Sequence, residues 1–565
     1  MRPEGQALRR SVLIVVVLAV VLPIVAGAGQ TLRTAFGLHE GLGGGLSLAP
    51  WSQLFALPGM ATSLRLSLIT GVGSTLLALI LALGLCVALQ TSGRAGWGAR
   101  ALAPVLAVPH AAVAIGFGFL IAPAGWISRL LAAALGWQDP PLVATVQDAA
   151  GLALLLGLVV KELPFLLLVM LAAARQVPVA TSLALGRSLG YRAAAVWLRL
   201  ILPQLWPLIR LPVLVVQAYA LSCVDMAIIL GPSNPPTLAV AVTRWFGDPD
   251  LAMVYPASAG AVLSAALVAA VLLGWGLAER GVARAGLIWL RRGARGRAEA
   301  GVLRLASGLG VAVLGLGIAA LAVLILWSFA FRWSFPDPLP ESWSLRLWAN
   351  PQGGWGRAAG YTLGLGLAVT ALCLTLAVAW LEAEDRSRAP RAAWATALIY
   401  LPLLLPQIGF LYGLNLLFLR MGLTGGVAAV IWAQALFVFP YVMIALSEPW
   451  RGLDPALIRT AASLGAGANR RLFSVKLPTL LGPILVAAAI GFAVSVAQYL
   501  PTLFMGAGRI ATLATEAVTL ASGSDRRVVG TYAVLQAALP FAAYGLALAV
   551  PRVLYRNRRA LRGGM

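Results

Sequence analysis

Lysine is almost missing from this 565-residue chain: Lys161 and Lys476 are the only two. Neither follows a glycine, so no GxxxxGK[ST] phosphate-binding loop exists, and any ATP the protein uses must be bound by another subunit. Histidine is equally scarce. His39 and His110 lie too far apart to suggest zinc ligation. The three cysteines, Cys86, Cys223 and Cys373, fall in apolar stretches and read as small buried hydrophobes, not as a disulfide framework or a metal site. Charge is the largest shortage: 11% of residues are charged, against roughly 25% in a soluble domain. That is too little to cover a soluble surface. Hydrophobic residues make up 60% of the chain, and the mean hydropathy is +0.90. The chain therefore reads as an all-α polytopic membrane protein, whose backbone groups must be satisfied within helices.

The formal net charge is +23. Nucleic-acid binding is the ordinary reading of so basic a chain. Here the cations sit in short segments between apolar runs, the positive-inside pattern, which argues for a lipid bilayer and against nucleic acid. Arg2, Arg9 and Arg10 precede an apolar run from Ser11 to Ala28. The run resembles a signal peptide with Ala26-Gly27-Ala28 at its end, but it is long enough to span and many spans follow, which favours an uncleaved first helix. Further spans are expected near 60–89, 101–122, 149–171, 208–230 and 254–279, then 304–330, 359–381, 392–419, 426–447, 481–505 and 529–550. With the N-terminus inside, the cytoplasmic loops 90–100, 172–207 and 280–303 hold most of the first half's arginines, while Arg33, Arg129 and Arg244 are sparse on the other side. The arginine-rich stretch 280–303 is expected to be a solvated linker between halves. The basic tail places both termini inside.

Two polar islands interrupt the apolar runs. Ser188-Leu189-Gly190 is followed by Leu200-Ile201-Leu202-Pro203, and Ser463-Leu464-Gly465 by Val475-Lys476-Leu477-Pro478. Each glycine precedes its proline by 13 residues (190 to 203, 465 to 478), and the copies lie 275 apart (190 to 465). Other landmarks repeat in order: Val108-Pro109-His110 with Leu405-Pro406-Gln407, Pro164-Phe165 with Pro440-Tyr441, Ser222 and Asp225 with Ser495 and Gln498, and Thr237-Leu238 with Thr512-Leu513. The chain is thus a tandem duplication in one orientation, with repeats over 1–300 and 301–565. Each island reads as a helix, a glycine turn and a second helix, with proline where the chain re-enters the membrane. Such a partly apolar elbow is expected to bury its face against span ends and a partner. The competing reading is a plain re-entry turn, which a single copy would deserve.

These residues resemble the EAA loop of binding-protein-dependent ABC importer permeases, in the fused two-domain form similar to permeases for iron(III), thiamine and related solutes. The resemblance covers nearly the whole chain and includes the run Lys161 to Phe165 before the first loop. It implies about twelve transmembrane helices in two six-helix repeats, with coupling loops around 176–207 and 451–482. It also implies ATPase contact through Ser188, Leu189, Gly190, Leu202 and Pro203, and through Ser463, Leu464, Gly465, Leu477 and Pro478. The family's Glu-Ala-Ala falls on Ala184-Leu185-Gly186 and on Arg459-Thr460-Ala461, so its acidic residue is absent twice.

Four polar residues inside predicted spans are candidates for the pathway: Lys161, Glu162, Asp225 and Gln498. Charge at mid-bilayer costs on the order of 3 kcal/mol, so such groups face protein or water. Lys161 and Glu162 are adjacent, point about 100° apart on a helix, and read equally as pathway-lining or as ties to a helix end near a break at Pro164. The resemblance implies that the fifth and eleventh spans line the pathway. Asp225 would then meet a cationic solute with Gln498 as its neutral counterpart; an interhelical hydrogen bond worth about 1 kcal/mol is the alternative. The glycine run 41–45 falls in an outside loop, and Gly308 to Gly317 in a span, where small residues let helices approach closely. No catalytic triad or carboxylate dyad is readable.

The expected function is therefore the permease of an ATP-driven importer, moving a small solute such as a thiamine-like molecule or iron(III) inward by alternating access. It has no cofactor of its own. Its partners are two copies of a cytoplasmic ATP-binding-cassette ATPase and an external solute-binding protein, at a bacterial inner membrane. A six-plus-six secondary transporter driven by an ion gradient is the alternative, and it would need coupling-ion residues and no ATPase.

Overall fold

The computed structural model describes residues 3–38, 45–96, 98, 102, 107–291, 295–352, 354–387 and 393–556. His39, Arg2, Arg100, Arg292, most of the 41–45 glycine run and the last arginines of the tail lie outside the described residues. The first half comprises α1 (Gly5–Ala35), α2 (Met60–Thr91), α3 (His110–Ile121), α4 (Trp126–Leu135), α5 (Leu152–Ala173), α6 (Val179–Ser188), α7 (Leu202–Ser222), α8 (Asp225–Leu230), α9 (Leu238–Phe246) and α10 (Val254–Arg291). The second comprises α11 (Arg297–Phe329), α12 (Gly356–Ser387), α13 (Ala393–Leu404), α14 (Ile408–Arg420), α15 (Val427–Arg451), α16 (Pro455–Ser463), α17 (Leu481–Ala497), α18 (Leu500–Gly506), α19 (Leu513–Ala521) and α20 (Arg526–Leu554). Among the described residues, ten helical stretches are long and apolar enough to cross a bilayer, or twelve if each of two bent pairs counts as one span. This is an all-α polytopic membrane protein. One small antiparallel ribbon, Ala330–Arg332 against Ser342–Trp343, follows α11.

The helices form because their sequences are apolar all round and cannot leave backbone groups unpaired in hydrocarbon. Their few hydroxyls are absorbed locally: Thr31, Thr70 and Thr75 donate to the carbonyls of Gly27, Leu66 and Gly71. Polar starts are capped by carboxylates. Asp148 accepts from the amides of Leu152 and Ala153 at 2.8 Å, and Asp454 from Ala456 at 2.8 Å.

Three expectations are corrected. The fifth and eleventh spans are not continuous: α7 stops at Ser222 with Cys223 extended, and α17 stops at Ala497 with Gln498 extended, before the short helices α8 and α18. Conversely, α5 runs unbroken through Pro164; packing on both sides holds the helix where proline alone would loosen it. Among its described residues, the expected linker 280–303 is mostly helix. Its apolar residues Val282, Leu287 and Ile288 continue α10 to Arg291, and α11 begins at Arg297. The 38 residues of α10 measure about 57 Å, nearly twice the hydrocarbon thickness. In the second half, 392–419 is bent by 111° between Leu398–Leu404 and Ile408–Arg420.

The halves exchange their first helices. α1 packs on α12 and α14, and α11 packs on α2 and α3. Small residues permit these contacts. A Cβ on Gly413 would lie 2.0 Å from the Gly27 carbonyl oxygen, and one on Gly116 would lie 2.3 Å from that of Ala320. Within the glycine run of α11, Gly310 meets Leu85 and Gly317 meets Val160, whereas Gly308 and Gly315 face open space. One hydrophobic core therefore threads both halves, joining Ile115 and Val160 to Leu324, Val369 and Leu436.

Candidate functional site

The two elbows fold alike, residue by residue. After α6, Gly190 takes φ +77°; its amide donates to Arg187 O and that of Tyr191 to Gly186 O. After α16, Gly465 takes φ +80°; its amide donates to Ala462 O and that of Ala466 to Ala461 O. This is the paired C-terminal cap that only a left-handed residue completes, and glycine is the residue without a Cβ penalty there. The hydroxyls of Ser188 and Ser463 donate back to Leu185 O and Thr460 O, each at 2.8 Å.

The second arms match as well. Ala193–Val196 runs into a π turn at Trp197–Ile201, and Ala468–Arg471 into one at Leu472–Lys476. A π turn is uncommon, so two at equivalent positions mark a shared build. Leu202 and Pro203 open α7, and Leu477 and Pro478 open the turn Leu477–Thr479. Each proline follows its π turn within a continuous helical stretch, Ala193–Ser222 or Ala468–Thr479, where the widened turn accommodates the missing donor. The arms then diverge: α7 continues from its elbow, while the second arm bends by 75° into α17. Trp197 and Ile201 are fully buried, but Leu189 and Leu464, beside the turning glycines, are 62% and 81% exposed.

Between the halves lies a cavity of about 470 Å³, and Lys161, Glu162, Asp225 and Gln498 all line it. Asp225 and Gln498 reach it because the chain breaks beside each of them. The Lys161 ammonium donates to Val108 O at 2.6 Å, and Glu162 Oε1 lies 3.2 Å from His110 Nε2. The adjacent charges thus diverge, as helical geometry requires, yet both grip the turn Val108–His110 at the start of α3. They line the cavity and tie a helix end at once. Asp225 Oδ1 accepts from Tyr219 OH at 3.1 Å, and the Tyr219 and His110 rings meet at 4.4 Å.

His110, Tyr219, Tyr441 and Tyr499 line the cavity too, and the sequence did not single them out for it. Only the positions of His110 and Tyr441 in repeated landmarks hinted at it. In the second half the polar residues turn inward on one another. Ser495 Oγ donates to Gln434 Oε1 at 2.6 Å, and Gln434 Nε2 donates to Thr502 Oγ1 at 2.9 Å.

The repeated Thr-Leu landmark marks a further shared contact. Leu238 N donates to Ser67 Oγ at 2.8 Å in one half, and Leu513 N to Thr362 Oγ1 at 2.9 Å in the other. Each bond ties the start of a helix following the broken span to a long membrane helix.

No family model matches the chain. It is 32% identical over 521 residues to the inner membrane ABC transporter permease protein YnjC of Escherichia coli, covering 92% of this chain and 93% of that protein. Shorter likenesses reach the molybdenum transport system permease protein ModB of Mycobacterium tuberculosis, 31% over 154 residues, and of Haemophilus influenzae, 29% over 161 residues. Each covers 25% of this chain, and 58% and 68% of the respective ModB proteins. With a relative matched almost end to end, and many apolar helices built around a duplicated elbow, the chain belongs to the ABC transporter permease family.

Proposed function

We propose that this chain is the membrane subunit of an importer, carrying a small solute inward by alternating access. Two copies of a separate cytoplasmic ATPase dock at the elbows around Gly190 and Gly465, and an external solute-binding protein delivers the solute. The elbows and both termini then face the cytoplasm of a bacterial cell, across its inner membrane. The observation that carries this reading is the pair of matched elbows, each presenting an exposed leucine beside a left-handed glycine. A single exposed apolar side chain is ordinary, and it is the recurrence at equivalent turns of the two halves that favours a partner.

The cavity between the halves supports a small organic cation, thiamine-like in chemistry, more than iron(III). Its volume of about 470 Å³ falls within the range of small-molecule sites, about 300–1,000 Å³. Glu162 and Asp225 are each met by a His or Tyr, and Tyr219, Tyr441 and Tyr499 line the same cavity, an aromatic lining suited to a flat cation.

Replacing both Gly190 and Gly465 by Arg tests the docking. A side chain at positive φ costs about 1–2 kcal/mol locally, and the charge obstructs a groove-and-knob fit. The ATPase should no longer co-purify with the double variant. Retained ATPase with full transport would disprove the role given to the elbows.

A further inference from the structure

The second of the two lysines sits in an unusual place. Lys476 ends the π turn of the second elbow, and its ammonium is buried. It donates to Glu382 Oε2 at 2.6 Å and to Asp385 Oδ2 at 2.5 Å, both on α12. Arg386, also on α12, holds Glu382 Oε1 at 2.7 Å and reaches Asn469 Oδ1 of the elbow at 3.0 Å. Trp450 Nε1 donates to Asp385 Oδ2 at 3.0 Å, fixing that carboxylate from a third helix, α15. The chain has 19 acidic residues, and three of them, Glu382, Glu384 and Asp385, fall within four positions here. Glu382 and Asp385 serve the elbow, and Glu384 holds Arg451 at the end of α15 at 3.2 Å.

The other end of α12 is tied as well. Thr362 Oγ1 accepts from Leu513 N, at the start of α19 on the far side of the membrane from the elbow. From Thr362 to Glu382 is 20 residues (362 to 382), about 30 Å of helix, the full hydrocarbon thickness. The first half keeps the far-end bond, Ser67 to Leu238, but its elbow cation is Arg199, which meets Glu299 of α11 at 3.7 Å instead of gripping the equivalent helix α2. The residue equivalent to Lys476, 275 positions earlier, is the fully buried Ile201.

We propose that Lys476 is a positioning residue that locks the second elbow to α12, so that elbow and helix move as one strut carrying displacement from the ATPase side to α19 on the opposite side. This rests on the docking reading above. A hydrophobic contact such as Ile201 permits sliding; a buried ammonium between two carboxylates does not, because any slip leaves charge unpaired in a low dielectric. The two halves then differ in what their elbows hold: the second grips α12 through Lys476, whereas the first meets α11 through Arg199 and Glu299.

Pulsed electron-spin distance measurement tests the strut. Nitroxide labels go on cysteines introduced at Thr375 of α12 and Arg470 of the elbow, both exposed; the native Cys86, Cys223 and Cys373 are buried. The complex with its ATPase is measured free of nucleotide and after trapping with ATP and vanadate. The strut predicts one narrow distance, unchanged by trapping. With Lys476→Met the distribution broadens and shifts on trapping by about 5 Å, one helical turn, and Lys476→Arg restores the narrow distance. A shift of that size without the Lys476 change overturns the strut alone, and this measurement stands even where Lys476→Met fails to assemble. A narrow, unchanged distance in assembled Lys476→Met also overturns it. A permease that never retains the ATPase defeats the docking reading, and the strut with it.

Discussion

Gly27 and Gly413 face each other across the two halves so closely that a Cβ on Gly413 would sit 2.0 Å from the carbonyl oxygen of Gly27. That contact locks the first helix of one half onto the other half. Gly413→Leu should therefore cost well over the 1–3 kcal/mol of ordinary overpacking and sharply lower the yield of folded protein. Gly308→Leu, at a glycine with open space around it, should leave yield and melting temperature unchanged. Size-exclusion profiles and thermal unfolding in detergent read both.

The serine and threonine that receive the amides of Leu238 and Leu513 are equivalent by the repeat, so removing them should cost alike. Ser67→Ala and Thr362→Ala each leave a buried amide without its acceptor, worth about 1–3 kcal/mol. The sites lie in different halves, so the double variant should lose about the sum. Unequal single losses, or a double variant no worse than one single, would contradict equivalent roles.

Asp225 meets the cavity with its carboxylate held by Tyr219. Asp225→Asn keeps an acceptor for that hydroxyl and removes the charge. Assembly with the ATPase should survive, while uptake falls about tenfold, the loss of roughly 1.4 kcal/mol of attraction for a cation. The solute for that assay comes from thermal stabilisation of the partner binding protein by a panel including thiamine, polyamines and iron(III). Unchanged uptake would remove Asp225 from the pathway.

Membrane class, duplication and elbows were legible in the sequence for physical reasons. Apolar runs long enough to span admit only helices, and Gly190 and Gly465 stand where the left-handed cap requires them. The breaks at Cys223 and Gln498 were not legible, because Ser222, Asp225, Ser495 and Gln498 read as isolated polar residues within apolar runs long enough to span without interruption. Pro164 misled in the opposite sense: proline weakens a helix, but α5, packed around that point, continues through it. The grip of Glu382 on Lys476 joins residues 94 apart, and only the rarity of lysine drew notice to one end of it. The exchange of first helices depends on glycine faces such as Gly27, which look like any other small residue in an apolar run.

The account depends on ATPase contact at the two exposed leucines, and site-specific photocross-linking reads that contact. A benzophenone side chain at Leu189 or at Leu464 should give a permease–ATPase adduct in each case, while one at the exposed Phe331, after α11 on the opposite side, should give none. Adducts from Phe331 with none from either leucine would contradict it.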